Sequence, residues 1–533
     1  MPDDHYDLLV LGSGAAGLAA ARSAAGPGRR VGIIEQAELG GDCTHYGCVP
    51  SKALLETARR VQGARDGERY GFRAVPTVDF AAVMDRVHAV ITEVALDEDE
   101  AALRRQGLDV LLGRAAFTGP RTLRLSSTAR SAEAPAGGDS HLGRELRADR
   151  FVLATGAGPL VPPIDGLDDV PYLTNRTIFA LRRLPEHLLV LGGGPIGCEL
   201  AQAFRRLGAQ VTLIEGADRL LGNDEPEASA ALLGVLRREG VTVRLGAPVS
   251  SAARSEARTG TAGSSAAEAR VAAGRPPGAG AGAGPPEAGR TGAAGTGAAG
   301  VRVTLEDGGT VEGSHLLVAV GRRPDTGNLG LEAAGVAVEE PSGRIAVDGH
   351  LRTSAAHIWA VGDCSSRFQF THAGDEQGRL AGRNAFARGR GGTWSARTLP
   401  WVTFTEPEVG HVGLTEAQAY AEYGELARVA HVAMRGMDRA RAAGETDGFV
   451  KLIAAPNRLL RSKFAAKVVG FTAVCPGGGE LVAEAALAMR AGTLAARLAQ
   501  TTHAYPTWSL ATRVAAAQLF GEYAGQTARP ARG

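Results

Sequence analysis

One pattern occurs twice in this chain and decides most of its fold: an apolar strand, a glycine-rich turn, a helix of small residues, and a second strand ending on an acid. In the first copy the apolar run Tyr6 to Gly12 enters Gly12-Ser13-Gly14-Ala15-Ala16-Gly17. The Ala-rich stretch Ala15 to Ala25 then stops at Gly26-Pro27-Gly28, and Val31 to Ile34 leads to Glu35. The second copy runs from Leu188 to Glu215 through Gly192-Gly193-Gly194-Pro195-Ile196-Gly197. Glycines at Gly12, Gly14 and Gly17, and at Gly192, Gly194 and Gly197, let the backbone approach a pyrophosphate at a helix N-terminus. The acid about 20 residues on accepts from a ribose hydroxyl. Either turn alone would also suit an ordinary helix start; strand, turn, helix and acid together predict two nucleotide-binding units. Glu215 accepts from a free 2′-hydroxyl and repels a 2′-phosphate, so NADH is expected over NADPH.

A chain of 533 residues exceeds one compact core, and about three units are expected. Lys plus Arg (58) nearly balances Asp plus Glu (57), so no overall field favours nucleic acid or an anionic membrane surface. The start, Met1-Pro2-Asp3-Asp4-His5, carries acid where a secretory signal needs base, and Leu8 to Leu11 is too short to span a bilayer. A cytoplasmic protein without membrane insertion is the expectation. Five cysteines in so long a chain do not form a disulfide scaffold, and any disulfide should be catalytic.

Ser251 to Gly300 is nearly all Ala, Gly, Ser, Arg, Pro and Glu, with Val271 its only large aliphatic residue, and cannot bury a core. It reads as a disordered insertion that interrupts a strand pairing of Val241–Arg244 with Val301–Leu305. Ser131 to Gly143 reads as a smaller one. From Leu399 onward the strands Val402–Phe404, Phe449–Ile453 and Val468–Ala473 mix with a helical stretch, Glu480 to Ala491, which predicts an α+β unit.

The most specific segment is Gly40-Gly41-Asp42-Cys43-Thr44-His45-Tyr46-Gly47-Cys48-Val49-Pro50-Ser51-Lys52. It resembles the redox-active disulfide segment of the class I pyridine nucleotide-disulfide oxidoreductases, which include dihydrolipoamide dehydrogenase, glutathione reductase and mercuric reductase. The resemblance implies a Cys43–Cys48 disulfide, and cysteines with four residues between them can close a small ring at a helix start that stabilises a thiolate. A pair of buried thiols is the plainer reading. A metal site would need ligands that the isolated Cys198, Cys364 and Cys475 do not supply.

The resemblance covers nearly the whole chain outside the insertions. Ala154-Thr155-Gly156 and Ala319-Val320-Gly321-Arg322-Arg323-Pro324 resemble the family's domain-junction strands. His357 to Asp363 resembles its second FAD segment, in which Asp363 would bind the ribityl chain. Lys52 would pair with Glu199 near the flavin, a surface ion pair being the alternative. Trp401 to Glu408 and Gly448 to Lys451 resemble the dimerisation domain and imply a homodimer. The implied fold is α/β: an FAD-binding Rossmann-like domain over 1–165 and 322–392, an NAD(P)-binding one over 166–321, and an α+β dimerisation domain over 393–525. A flexible tail would follow at 526–533.

The family's dithiol members carry His-Pro-Thr-x-x-Glu near the C-terminus as an acid-base dyad; here the run is Tyr505-Pro506-Thr507-Trp508-Ser509-Leu510. An unperturbed tyrosine titrates about 3.5 units above a histidine and is a poor base at neutral pH. Losing a positioned base costs roughly 10²–10⁴ in rate. His503 and His45 are candidate substitutes, each with a plain structural reading. Gly197 to Phe204 and Phe370-Thr371-His372-Ala373 resemble the mercuric reductases, yet no cysteine follows Cys475, and mercury is not the expected natural substrate. The implied activity passes hydride from NADH through FAD to the Cys43–Cys48 disulfide, Cys48 as charge-transfer and Cys43 as interchange thiol, and then to a small-molecule or disulfide acceptor. An NADH-dependent quinone or metal-ion reductase is the alternative enzyme, and a non-catalytic flavin-binding redox sensor the alternative of another class.

Overall fold

The computed structural model describes residues 4–128, 141–255, 300–456 and 465–533. Three sheets organise them. The first is parallel, in the order Ile358–Ala360, Phe151–Leu153, Leu8–Leu11, Val31–Glu35, Leu108–Leu112. Every residue of Leu8–Leu11 is buried, as suits a parallel strand covered on both faces. The second repeats the plan with Tyr172–Leu173, His315–Val318, His187–Leu191, Gln210–Ile214 and Thr242–Arg244, again all parallel. The third has six antiparallel strands, Pro400–Thr403, Glu408–Gly413, Lys467–Cys475, Phe449–Ala455, Arg428–Ala433 and Arg529–Pro530. Helices Gly478–Arg490 and Leu510–Gln518 pack over this sheet with Val412, Leu452, Phe471 and Val482 in its core. Among the described residues no helix is long and apolar enough to cross a membrane.

The two glycine turns are the same object built twice. Gly12 has φ +99°, and a Cβ there would lie 2.3 Å from the Ala154 carbonyl oxygen; Gly192 has φ +111° with the Ala319 oxygen at 2.5 Å. Only glycine meets both demands without strain.

Two expectations are corrected. Val301–Leu305 pairs antiparallel with Val249–Ser255, not with Val241–Arg244, of which Thr242–Arg244 instead extends the second parallel sheet. A ladder is made by backbone groups, so Ser251 to Ser255 form a strand although their composition matches the insertion; only Ala252 and Ser255 are buried. The rest of the expected insertion, 256–299, and residues 131–140 of the smaller one lie outside the described residues.

The second correction is the tail, expected to be flexible. Arg529–Pro530 adds an edge strand to Arg428–Ala433, Ala528 and Ala531 are buried, and Arg529 reaches Glu416. Its anchor is a charge cluster: Lys451, 1 % exposed, contacts Glu225 at 3.1 Å, Glu227 at 2.8 Å and Glu416 at 2.8 Å. Burial works to raise the Glu416 carboxyl, but hydrogen bonds from Arg529 and Lys451 outweigh it and hold the group at about 2. The cluster ties the helix Pro226–Arg238, which Glu225 precedes, to the third sheet and to the C-terminal residues.

Candidate functional site: a thiol pair between two helix starts

Gly40 and Gly41, both in the left-handed region, swing the chain into the short helix Gly41–His45 that carries Cys43. A Cβ on Gly41 would lie 2.7 Å from the Gly14 Cα, and the Gly40 N–H donates to the Ser13 carbonyl. The cysteine turn is thus seated on the first glycine turn. Cys48 is the first residue of the helix Cys48–Arg65, where unpaired N–H groups and the dipole favour negative charge.

A second helix start meets it. Thr371 opens the helix Thr371–Ala385, and its Oγ1 lies 3.3 Å from Cys48 Sγ. This helix lies unusually close to the helix Ala15–Ala24: a Cβ at Gly378 would fall 2.1 Å from the Ala16 oxygen, and one at Gly382 2.3 Å from the Ala20 oxygen. The Gly374, Gly378, Gly382 spacing is therefore what brings Thr371 to the thiol. Cys43 and Cys48 are hydrogen-bonded thiols in this structure. The bond from Cys43, opposed by desolvation and helped by Thr371 and Lys52, brings Cys48 down to about 6, while the same bond and burial push Cys43 far up. The helix start and the Thr371 hydroxyl act in the same direction, favouring negative charge on Cys48 over Cys43.

Lys52, one turn on, donates to Glu199 Oε2 at 2.9 Å and sits 4.3 Å from the centre of the Phe404 ring. Glu199, buried on the helix Pro195–Leu207, also accepts from the Phe404 N–H at 2.8 Å. One carboxylate joins the cysteine helix, the second glycine-turn helix and the residue that follows the third sheet's first strand.

The glycine turns fit dinucleotides. Helix Ala15–Ala24 follows Gly14 and helix Pro195–Leu207 follows Gly194, neither with a side-chain cap, so the first-turn N–H groups, apart from Pro195 which has none, can serve an anion. Glu35 accepts from the Ser13 N–H at 2.8 Å and hydroxyl at 2.7 Å; Glu215 accepts from the Gly193 and Ala217 N–H groups. A Cβ on Gly17 or Gly197 would overlap the Gly12 or Gly192 oxygen. At the junction Gly156 and Gly321 take positive φ, the Thr155 hydroxyl donates to the Asp325 carbonyl, and Asp363 faces Arg322.

The C-terminal candidates are spent elsewhere. His503 Nε2 meets Glu484 at 3.0 Å and its Nδ1 the Thr501 oxygen at 3.0 Å. The exposed Tyr505 donates to Asp438 at 3.1 Å, which pushes its phenol up, and Leu510 begins a helix. His45 Nε2 bonds the Leu39 carbonyl rather than a thiol. None of these hydrogen bonds reaches the thiol pair. Sequence reasoning named Thr371 only within the resembling run Phe370 to Ala373 and missed its contact with Cys48, as it missed the contacts of Asp42, treated below; the glycine spacing along Thr371–Ala385 was the available signal for the first.

A cleft of about 670 Å³ runs between the helices Ala15–Ala24 and Thr371–Ala385, its lining including Ala15, Leu18, Arg22, His372 and Arg379; neither cysteine lines it, and Thr371 is the lining residue that touches Cys48. The cleft is sized for an organic molecule rather than a bare ion. Among the described residues no group of three or more His, Cys, Asp or Glu side chains could hold a metal.

A family model described as pyridine nucleotide-disulphide oxidoreductase matches residues 6–278 and 287–378, and one described as its dimerisation domain matches 399–516. The chain is 35 % identical over 516 residues to a mercuric reductase of Streptomyces lividans, covering 96 % of this chain and 95 % of that one. It is 32 % identical over 513 residues to a dihydrolipoyl dehydrogenase of Thermus scotoductus, covering 95 % of each. The crystal structure of LpdA from Mycobacterium tuberculosis superposes with a TM-score of 0.79 at 28 % identity, over 96 % of this chain and 99 % of that one.

Proposed function

The chain belongs to the pyridine nucleotide-disulphide oxidoreductase family, and from that premise we propose that this flavoprotein passes reducing equivalents from NADH to Cys43 and Cys48 and then to a small organic acceptor, a quinone in preference to a linear disulfide. The observation that carries this is the geometry of the thiol pair: Cys48 opens a helix with the Thr371 hydroxyl 3.3 Å from its sulfur, which favours the thiolate there, and among the described residues the hydrogen bonds of the candidate bases His45, His503 and Tyr505 all go to groups other than the two sulfurs. Bound FAD supplies the two-electron step between nicotinamide and disulfide.

The side chains divide the remaining work. Glycines of the first turn and Glu35 hold one dinucleotide, those of the second turn and Glu215 the other. Lys52, steadied by Glu199, would supply a cation beside the bound flavin. The helix start at Cys48 and the Thr371 hydroxyl stabilise the thiolate. Thiol-disulfide interchange needs a proton removed from one sulfur and delivered to another. His503 has both nitrogens engaged within its own subunit and Tyr505 is a weaker acid than usual, so neither serves that need. A quinone can take protons from water. A homodimer built on the 399–516 region completes the proposal.

The test is an acceptor comparison on holoenzyme with NADH. Quinones should exceed lipoamide and glutathione disulfide in kcat/KM by about 10² or more, the scale of a missing base. Lipoamide turnover equal to the best quinone would overturn the acceptor assignment, and preferential Hg(II) reduction would replace it with a metal-ion reading. A flavin that NADH fails to bleach would mark a binding protein instead.

Nucleotide choice is a separate prediction. The Arg219 guanidinium is taken up by the Asp224 carbonyl at 2.9 Å and the Gly222 carbonyl at 2.5 Å, leaving Glu215 to face the ribose. NADH should be preferred over NADPH by roughly tenfold or more, and Glu215→Arg should narrow or reverse that ratio. Equal use of both by the native enzyme would show that Glu215 does not meet the 2′-position.

A further inference from the structure

Asp42 stands between the second glycine of the cysteine turn and Cys43, and its carboxylate is the hub of a charge group that no glycine or cysteine pattern announces. Arg322 Nη1 donates to Asp42 at 2.8 Å, its Nη2 to the Ala157 carbonyl at 2.7 Å, and its Nε faces Asp363 at 3.3 Å. Arg176 approaches Asp42 at 3.6 Å, and the Asn175 amide at 3.4 Å. Arg322, Asp42 and Asp363 are each no more than about a fifth exposed, so solvent screens them only in part. Both Arg322 and Asp363 lie within electrostatic reach of Cys48. The charged groups acting most strongly on Cys48 are Lys52 on its own helix and Glu199, which pair with each other, so Arg322 and Asp363 modulate the thiol from further out. Arg322 is thus a cation near the thiolate whose charge is offset by two carboxylates, one of them directly preceding Cys43.

We propose that Asp42 is a positioning residue of the thiol pair: by pairing with Arg322 it damps that cation's pull on Cys48 and keeps the Cys43–Cys48 disulfide a weaker oxidant than Arg322 alone would make it. This rests on the reading that the two cysteines interconvert between disulfide and dithiol. In that step the S–S bond breaks and one hydride equivalent from NADH, which leaves as NAD⁺, yields a thiol on Cys43 and a thiolate on Cys48. Anything that stabilises the thiolate favours the reduced pair and makes the disulfide more oxidising. Neutralising Asp42 leaves Arg322 under-compensated and acts in that direction.

Two readouts on FAD-loaded protein test this: the disulfide-dithiol equilibrium in dithiothreitol redox buffers, read by alkylation and mass, and the pH midpoint of Cys48 alkylation in the reduced protein. Asp42→Asn should shift the equilibrium toward dithiol by about three- to tenfold and lower the alkylation midpoint by roughly half to one unit. Asp42→Glu should restore both, and Arg322→Gln should move them the opposite way. In the Arg322→Gln background, Asp42→Asn should add little. A native protein whose mass shows no Cys43–Cys48 disulfide in the oxidised buffer would overturn the redox reading itself. A disulfide that forms normally, with Asp42→Asn leaving both midpoints in place, would overturn this inference alone. So would an Asp42→Asn effect undiminished by Arg322→Gln, because the carboxylate would then act without the arginine.

Discussion

Cys48→Ser is expected to abolish the long-wavelength absorbance that two-electron reduction brings up in the native holoenzyme, whereas Cys43→Ser should show it before any reductant is added. Such a band needs a thiolate against oxidised flavin, and the structure favours the charge on Cys48, at a helix start with the Thr371 hydroxyl 3.3 Å away. Serine at position 43 keeps an O–H that can donate to Cys48, so that thiolate retains its main support while the disulfide is no longer possible. The band of Cys43→Ser should therefore fade on acidification as the Cys48 thiolate takes up a proton, at a pH below the ordinary thiol range because Thr371 and Lys52 still lower that group. Turnover of any acceptor that draws on the dithiol should fall by roughly 10³ or more in both variants, as for other nucleophile removals. A band untouched by Cys48→Ser would show that the two sulfurs have the reverse roles.

The largest stability effect is expected at Lys451. Lys451→Met leaves Glu225 and Glu416, both nearly buried, without their shared cation, while Glu416 keeps Arg529 and the Arg532 N–H. Removing one partner of a buried ion group typically costs about 3–5 kcal/mol. For a unit of ordinary domain size that lowers the thermal midpoint by roughly 6 °C or more. The pH dependence has a definite sign. Glu416 is held at about 2 in the folded protein against an ordinary value of 4.5, so its contribution is present above pH 4.5 and is lost as pH falls toward 2. The native protein therefore loses this stabilisation on acidification, and the gap between native and Lys451→Met should narrow over the same window. Midpoints that coincide at pH 7 would show that the cluster does not hold the third sheet to the rest of the chain.

The sequence made some of this legible because local rules governed it. Gly12 and Gly192 could be placed at tight turns since strand, helix and acid flank them at fixed spacing, and Leu8–Leu11 could be placed as a strand because four consecutive apolar residues suit a doubly covered parallel sheet. Contacts across long separations were less accessible. Thr371 meets Cys48 from 323 residues away, and only the glycines that let its helix approach Ala16 and Ala20 leave a local trace. Asp42 carried no separate signal within the cysteine segment, since its partner Arg322 arrives from a strand 280 residues further on. Composition misled at Ser251 to Ser255, where serine, alanine and arginine form a ladder through their backbones, and at the tail, where Arg529 gains order from a carboxylate 113 residues earlier.

The central claim is that NADH delivers its electrons to Cys43 and Cys48. It is tested most directly by treating oxidised holoenzyme anaerobically with one equivalent of NADH, trapping thiols with an alkylating agent, and mapping the labels by peptide mass. The account predicts that Cys43 and Cys48 are unlabelled before NADH and both labelled after it. Labels on both cysteines before NADH, or on neither after the flavin has been reduced and reoxidised, would contradict it.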